Sequence, residues 1–412
     1  MSQSMIGATR LLAGPPVQAG PESLRDQRAR LGPLPAARRD LIATLDRSGL
    51  LGRGGGAFPV GRKWAKVADA GGGDARVLVN GAEGEPLSAK DCTLMTARPH
   101  LVLDGAQLAA AAVGAREIVL YVSAAQVDAR AALGRALAER GRPPVATRLV
   151  AAPDAFVAGE ESAAVHFINE GDARPTTKPP RPFENGIGGR PTLVQNVETL
   201  AHVALIARYG DAWYRSAGRG ATRGTTLVTL NGASGRVVRE VELGTRVGEV
   251  AALTGDSMAA TRAVLLGGYF GAWLGRDAGW GLPLDPLALR AAGAALGSGV
   301  VAFLPAASCG VASTALIIDW LAAQSAAQCG PCVFGLRAIA DALGGLSRNA
   351  AASQDLERVK RWGGQLAGRG ACRHPDGAAG LLASALVTFA EDFERHARRA
   401  GCVAQPRTAQ AA

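Results

Sequence analysis

Three cysteines carry the first chemistry in this chain. Cys329-Gly-Pro-Cys332 stands at the start of a helical pattern, and Cys372 follows 40 positions later in a second turn, A-C-R-H-P-D-G. Three thiolates presented by two turns can hold an iron–sulfur cluster. Zinc is an alternative, with His374 as a fourth ligand, and three buried, inert thiols are the plain structural one. The next candidates are acids: Glu83 and Glu85 in N-G-A-E-G-E-P, Asn80–Pro86, and the pair Glu160, Glu161 in G-E-E. Carboxylates at a helix start answer the helix dipole, so capping is one account of Glu160 and Glu161. Their charge sits badly beside phosphates but suits ribose hydroxyls, a nicotinamide amide or control of a flavin potential.

Two further stretches supply backbone and cations. Gly52–Lys63 reads G-R-G-G-G-A-F-P-V-G-R-K, with five glycines in ten positions. Ordering so much glycine is costly, and the return is backbone that approaches a phosphate or a flat ring, beside Arg53, Arg62 and Lys63. The stretch lacks the closing G-K-[ST] of a Walker loop. Lys178–Pro182, K-P-P-R-P, precedes G-I-G-G-R-P-T; cations on a stiff loop can clamp a nucleotide phosphate or simply cross the surface rigidly.

These residues need elements to position them. Short apolar runs at Arg76–Asn80, Glu117–Val122 and Thr147–Ala151 alternate with helical patterns at Pro99–Val113 and Ala124–Arg140, which predicts a parallel α/β sheet. Asn80–Pro86 then falls just after a strand, where α/β folds place their sites. Ser162–Asn169 and Pro191–Tyr209 read as helices around a long loop, Gly171–Arg190. Strand-like runs at Thr226–Asn231, Gly235–Glu242 and Ala263–Gly267 suggest a small β-grasp module. Helical patterns at Val311–Gln324, Cys332–Leu343, Asp355–Gly368 and Gly377–His396 suggest a bundle. The expected organisation is an arm at 1–44 with a helical pattern near Leu34–Leu45, an α/β domain at 45–222, the β-grasp module at 223–300, the helical domain at 301–402 and a basic tail at 403–412.

Composition narrows the partners. The 412 residues are 48% hydrophobic and 19% charged, with net charge +10, as in a folded chain with a sizeable core. The basic balance admits nucleic acid, a membrane surface or an acidic protein, but no aromatic-interleaved basic stretch supports nucleic acid. The longest apolar run, Leu101–Val122, is interrupted by Asp104, Arg116 and Glu117, so no membrane span is expected. Pro15 and Pro16 break any apolar signal core, and the expected location is cytoplasmic or peripheral on the inner face of the cell membrane. Cysteine use with a C-x-x-C pair favours metal or redox work over disulfides.

In order, the motifs resemble those of the flavin-carrying, NADH-oxidising subunit of respiratory complex I and its relatives in NAD-linked hydrogenases and formate dehydrogenases. The family's G-R-G-G-A-G-F-P-T-G-x-K-W is matched at Gly52–Trp64, its N-A-D-E-x-E-P at Asn80–Pro86 and its G-E-E at Gly159–Glu161. Its R-x-K-P-P-F-P is matched at Arg174–Pro182, and its P-T-x-x-N-N-V-E-T at Pro191–Thr199. The resemblance covers roughly residues 7–400. It implies an FMN domain, a soluble-ligand-binding β-grasp module and an iron–sulfur domain. It implies FMN and NADH contacts from Gly52, Arg53, Gly54, Gly55, Gly61 and Lys63, FMN hydrogen bonds from Asn80, Glu83, Gln195 and Asn196, and nucleotide contacts from Glu85, Glu161, Phe58 and Lys178 beside Glu160. Glu85 and Glu161 are the residues expected closest to the reaction. Electrons from NAD(P)H would pass through FMN to a cluster on Cys329, Cys332 and Cys372, then to other electron-transfer subunits, a ferredoxin-like protein or a quinone-reducing membrane partner. A flavin and iron–sulfur module that no longer uses NAD(P)H, and a non-enzymatic assembly or binding protein, are the other readings.

The departures from the family are specific. Ala326 stands where the first cysteine of S-C-x-x-C-x-P-C belongs, which leaves a [4Fe–4S] cluster with a non-cysteine fourth ligand, a [3Fe–4S] cluster, or none; Cys309 is a candidate substitute ligand. Lys66 and Arg181 replace rings expected near the nucleotide, Phe156 replaces a tyrosine, and Ala82 replaces an aspartate. The cations favour either a 2′-phosphate or a donor other than NADH.

Overall fold

The computed structural model describes residues 9–36, 40–350, 352, 354–400 and 402. The chain forms two compact units. The first comprises residues up to Gly84 with Ser88–Thr229 and Val238–Thr245; the second comprises Glu85–Leu87, Leu230–Val237 and the residues from Arg246 onward.

In the first unit the helices are α1 (Leu24–Leu31), α2 (Asp40–Ser48), α3 (Val60–Gly71), α4 (Lys90–Ala97), α5 (Pro99–Val113), α6 (Val127–Arg140), α7 (Glu161–Glu170) and α8 (Val197–Arg215), and the sheet strands are β1 (Ala75–Gly81), β2 (Ala115–Ser123), β3 (Ala146–Ala152) and β4 (Thr192–Asn196). The sheet is parallel throughout, in the order β3-β2-β1-β4. Val77, Leu78 and Val79 alternate between its two faces and are all buried, as expected of a strand covered by helices on both sides. Helix α5 lies across the core with nearly every residue buried. A Cβ on its Gly105 would stand 2.0 Å from the Leu200 carbonyl oxygen, so only glycine permits this approach to α8.

Three local expectations change. The stretch expected to be helical from Pro191 begins as strand β4, and the helix starts only at Val197, capped by Asn196, whose side chain accepts from Glu198 N and Thr199 N. The glycine loop runs into α3, where Val60, Trp64, Val67 and Gly71 form a buried stripe at helical spacing. The helical pattern placed near Leu34 begins, among the described residues, at Asp40. The tail at 403–412 lies outside the described residues.

Strands β5 (Thr225–Gly232) and β6 (Gly235–Glu242) contribute residues to both units. In the second unit β7 (Thr261–Leu266) pairs antiparallel with β8 (Ala272–Gly275) and with β9 (Val300–Pro305). Its helices are α9 (Val247–Ala251), α10 (Arg276–Trp280), α11 (Pro286–Ala291), α12 (Gly310–Ala323), α13 (Arg337–Ser347), α14 (Asp355–Leu366), α15 (His374–Thr388) and α16 (Ala390–Ala397). A wider-wound helical segment, Pro331–Leu336, leads into α13 and contains Cys332. No helix among the described residues is long and apolar enough to cross a membrane.

Candidate functional site

The order β3-β2-β1-β4 contains a topological switch. From β1 the chain adds β2 and β3 on one side, then returns to place β4 on the other. In open α/β sheets the loops leaving the carboxyl ends of strands diverge at such a switch, and the crevice between them is the preferred ligand position. Asn80, one residue before the end of β1, and Asn196, the last residue of β4, are register partners. Asn80 Nδ2 donates to the Gly159 carbonyl at 2.8 Å, and its Oδ1 accepts from Ala82 N at 3.2 Å. Asn196 Nδ2 donates to Asp91 Oδ2 at 2.7 Å. Gln195 Oε1 accepts from the Trp64 indole at 3.3 Å.

The glycine loop is fastened to the same crevice. Gly52 N donates to the Phe58 carbonyl at 2.9 Å, and Arg53 N donates to Thr199 Oγ1, in the first turn of α8, at 2.9 Å. Between these anchors Gly54, Gly55 and Gly56 are exposed. Gly55 has φ 97°, and a Cβ on Gly54 would come within 3.3 Å of Asn196 Cβ. Glycine therefore lets a bare backbone ribbon lie along the crevice, a surface that fits a flat ring or a phosphate. Phe58 stands beside it with 48% of its surface exposed. Gly61 has a separate reason: a Cβ there would lie 2.7 Å from Asp46 N, so it serves the packing of α3 on α2.

Several residues expected to meet a cofactor spend their side chains on the protein. Arg53 is buried, with Nη2 donating to Tyr214 Oη at 3.1 Å and the Thr225 carbonyl at 3.0 Å. Glu83 braces the start of α4 by accepting from Asp91 N at 3.1 Å, Cys92 N at 2.9 Å and the Ser88 hydroxyl at 2.5 Å. Glu160 caps α7 through Ser162 N at 3.0 Å and Ala163 N at 3.3 Å. These groups shape the crevice by holding its walls.

Beneath the loop lies a buried charge cluster centred on Glu198, which is fully buried. Lys90 Nζ is 2.8 Å from Glu198 Oε2 and 2.7 Å from Asp91 Oδ1, while Arg53 Nε is 3.7 Å from Glu198 Oε1. Leu227 N also donates to Glu198 at 2.9 Å. Burial opposes the charge of Glu198, but Lys90, His202 and Arg53 outweigh it and hold its carboxyl well below the usual range. Burial instead pushes Asp91 up to about 7, against the pull of Lys90. Lys90, Asp91 and Glu198 are not recognisable as a group from the sequence; the available signals were the adjacent pair Lys90-Asp91 and, far along the chain, Glu198 in N-V-E-T.

A second, half-exposed group gathers expected nucleotide residues. Lys178 pairs with Glu160 and lies 3.3 Å from Glu161, and Lys63 lies 3.8 Å from Glu161. Burial works against the charge of Lys178, yet the two glutamates raise it overall. Burial lowers Lys63, with Glu161 opposing. Lys66, which replaces an expected ring, lies 5.7 Å from the Phe183 ring centroid.

Glu85 belongs to the second unit. Its carboxylate is nearly buried and accepts from Tyr269 N at 2.8 Å and Leu87 N at 3.3 Å. In the same unit burial, with smaller contributions from Cys329 and Cys372, pushes the Cys332 thiol up to about 12. Three thiols from a C-x-x-C turn and a second turn of the same unit are a donor set that fits an iron–sulfur cluster. His374 directs Nε2 to the Leu321 carbonyl at 2.8 Å and packs edge-on against Phe270. Cys309, considered as a substitute ligand, is grouped instead with His396 and Cys402.

Two family models match this chain. The Nuo51 FMN-binding domain matches residues 45–205, and the NADH-ubiquinone oxidoreductase-F iron–sulfur binding region matches residues 312–396. An NADH-quinone oxidoreductase subunit of Mycobacterium tuberculosis H37Rv is 30% identical over 389 residues, spanning 89% of this chain and 87% of that protein. Its counterpart in Streptomyces coelicolor is 29% identical over 90% of this chain and 86% of that protein. An NADP-reducing hydrogenase subunit of Solidesulfovibrio fructosivorans is 27% identical over 90% of this chain and 78% of that protein. A crystal structure of an NAD+-reducing [NiFe]-hydrogenase in the air-oxidized state superposes with TM-score 0.81 at 26% identity, covering 97% of this chain and 69% of that chain. In the H2-reduced state the values are 0.80 and 28%, with 87% of this chain and 62% of that chain covered.

Proposed function

Because this chain belongs to the family of NADH-oxidising, FMN- and iron–sulfur-binding subunits of NADH-quinone oxidoreductases, we propose that it takes electrons from NADH and passes them, through FMN and an iron–sulfur cluster, to another redox subunit. FMN would supply the conversion of a two-electron donor into single electrons for a cluster. The observation that carries the proposal is the crevice at the β1–β4 switch, roofed by the exposed ribbon Gly54–Gly56 and pinned to α8 through Arg53 and Thr199.

The chain's own residues have distinct tasks in this reading. The ribbon offers close backbone approach to FMN, while Asn80, Gln195 and Asn196 fix the strand ends beneath it. Phe58 offers a ring for stacking. Lys178 and Lys63, held by Glu160 and Glu161, present cations to the phosphates of the nucleotide, and Glu161 accepts from its hydroxyl or amide groups. Glu85, held by Tyr269 N, is proposed to face the nicotinamide. Cys329, Cys332 and Cys372 would hold the cluster, and Ala326 leaves its fourth position to a non-cysteine ligand. The α/β, β-grasp and helical division at 45–222, 223–300 and 301–402 is retained as part of the proposal. The acceptor is proposed to be a ferredoxin-like or quinone-reducing partner, recognised by the basic chain.

Lys66 and Arg181 favour a second reading, in which flavin and cluster persist without nucleotide use. Anaerobic titration with NADH and NADPH, followed by low-temperature electron paramagnetic resonance, separates the two. Bleaching of a bound flavin and a reduced cluster signal are expected with NADH. A flavin bleached by dithionite but by neither nucleotide would remove the donor from the proposal.

A further inference from the structure

The second unit holds another set of soft donors that the flavin and cluster chemistry leaves unused. Cys309 Sγ, a ring nitrogen of His396 and Cys402 Sγ all lie within 4.8 Å of one another. Cys309 is the residue before α12, and its sulfur accepts from Ala312 N at 3.4 Å. Backbone donors at this helix start favour its thiolate, but burial outweighs them and pushes the thiol up to about 11, so a bound cation would have to displace the proton. His396, at the end of α16, is 2% exposed and directs Nδ1 to the Leu346 carbonyl at 2.9 Å. A carbonyl only accepts, so the proton resides on Nδ1 and Nε2 turns its lone pair toward Cys309 Sγ, 3.3 Å away. This is the tautomer and outer-shell bond that orient a metal-ligating histidine. The Arg262 guanidinium, ion-paired with Asp392, also bonds Cys402.

From this geometry we propose that Cys309, His396 and Cys402 form a zinc-type site, binding a divalent closed-shell cation through two sulfurs and Nε2. Tetrahedral zinc with bonds of about 2.3 Å to sulfur and about 2.0 Å to nitrogen requires ligand atoms about 3.5–3.8 Å apart. Cys309 Sγ and His396 Nε2 stand 3.3 Å apart, and every pair of the three lies within 4.8 Å, which brackets that figure. A water completes the fourth position, since three protein ligands are present. The site is separate from the cysteines of the C-x-x-C turn, and its role is structural: it clasps the residue opening α12 to the segment following α16, and so fastens the two ends of the helical part together.

The test uses the full chain, purified anaerobically and incubated with zinc chloride, then freed of unbound metal and assayed for zinc. Wild type is expected to retain about one zinc per chain, as is a variant lacking the three thiols assigned to the cluster, Cys329→Ser/Cys332→Ser/Cys372→Ser. Cys402→Ser is expected to lower zinc affinity at least about 10-fold, and cobalt(II) in the wild type should show thiolate charge-transfer absorption that Cys402→Ser loses. If Cys402→Ser does not fold, His396→Gln with the melting temperature measured with and without zinc chloride takes its place; zinc should raise the wild-type value and not that of the variant. Zinc retained in full by Cys402→Ser, zinc lost only with the C-x-x-C and Cys372 thiols, or an intact mass two hydrogens light from a Cys309–Cys402 bridge would each overturn the proposal.

Discussion

Two charge groups in the first unit are built from the same residue types and behave differently. Arg53, Lys90, Asp91 and Glu198 lie buried beneath the glycine loop, each tied to several partners. Lys63, Glu160, Glu161 and Lys178 lie half-exposed beside it. Buried ions without water must be satisfied by fixed partners, so the first group is committed to holding the loop on α8. The second group retains access to solvent and can exchange an internal partner for a ligand. The difference teaches that in this fold the charges nearest a bound cofactor are struts, and the charges available to a nucleotide are the solvated ones.

The strongest way to break this comparison is Glu198→Ala. It strands Lys90 and Arg53 in the core, and a loss of about 3–5 kcal/mol in urea denaturation is expected. A loss below about 1 kcal/mol would mean that the buried group is not a strut. Lys178→Ala tests the opposite group. Its partners are half-exposed, so stability should change by less than about 1 kcal/mol, while nucleotide-dependent flavin reduction should fall about 10–100-fold at fixed NADH. Unchanged reduction kinetics would remove Lys178 from the nucleotide site.

A pH profile sharpens the comparison further. Asp91 is raised to about 7 in the folded protein, so the stability its protonated form contributes is present at low pH and lost as pH rises through that value. Glu198 is lowered, and its contribution is present above the usual glutamate range and lost as pH falls below it. Asp91→Asn should therefore flatten the decline in stability between about pH 4 and about pH 7, by about 1–2 kcal/mol or more, and leave the Glu198 contribution to the acid limb in place. Parallel profiles for variant and wild type over that interval would refute the assignment.

The alternation of strands and helices was legible in the sequence because Val77–Val79 and Ile118–Val122 are continuous apolar runs between helical patterns. Strand β4 was not legible: Thr192–Asn196 runs directly into Val197–Ile206, and the apolar residues of both form one periodic-looking stretch. That omission hid the β1–β4 switch, which locates the crevice. Motif order pointed to Asn80, Asn196 and Glu83, but not to the direction of their side chains, which depends on Asp91, Gly159 and the start of α4 coming together. Glu198 was visible only as a letter of the N-V-E-T motif; its burial requires β5 and α4 to pack over it. The grouping of Cys309 with His396 and Cys402 depends on helix packing in the second unit, across sequence separations that spacing rules do not reach.

The smallest expected effect is the most discriminating for the open side of the crevice. Phe58 is a large apolar side chain left 48% exposed beside the ribbon. As a packing residue it is poorly used, so Phe58→Ala should cost less than about 0.5 kcal/mol of stability. As a stacking surface it should contribute about 0.5–1.5 kcal/mol to nucleotide binding, which appears as a several-fold rise in the KM for NADH with little change in kcat. Phe58→Tyr should restore the KM, because the ring face is kept. Flavin content should stay constant in both variants, since the ribbon is anchored through Gly52, Arg53 and Val60 rather than through the Phe58 side chain. Loss of flavin in Phe58→Ala would place the ring against FMN instead of the nucleotide, and an unchanged KM would leave Phe58 outside both.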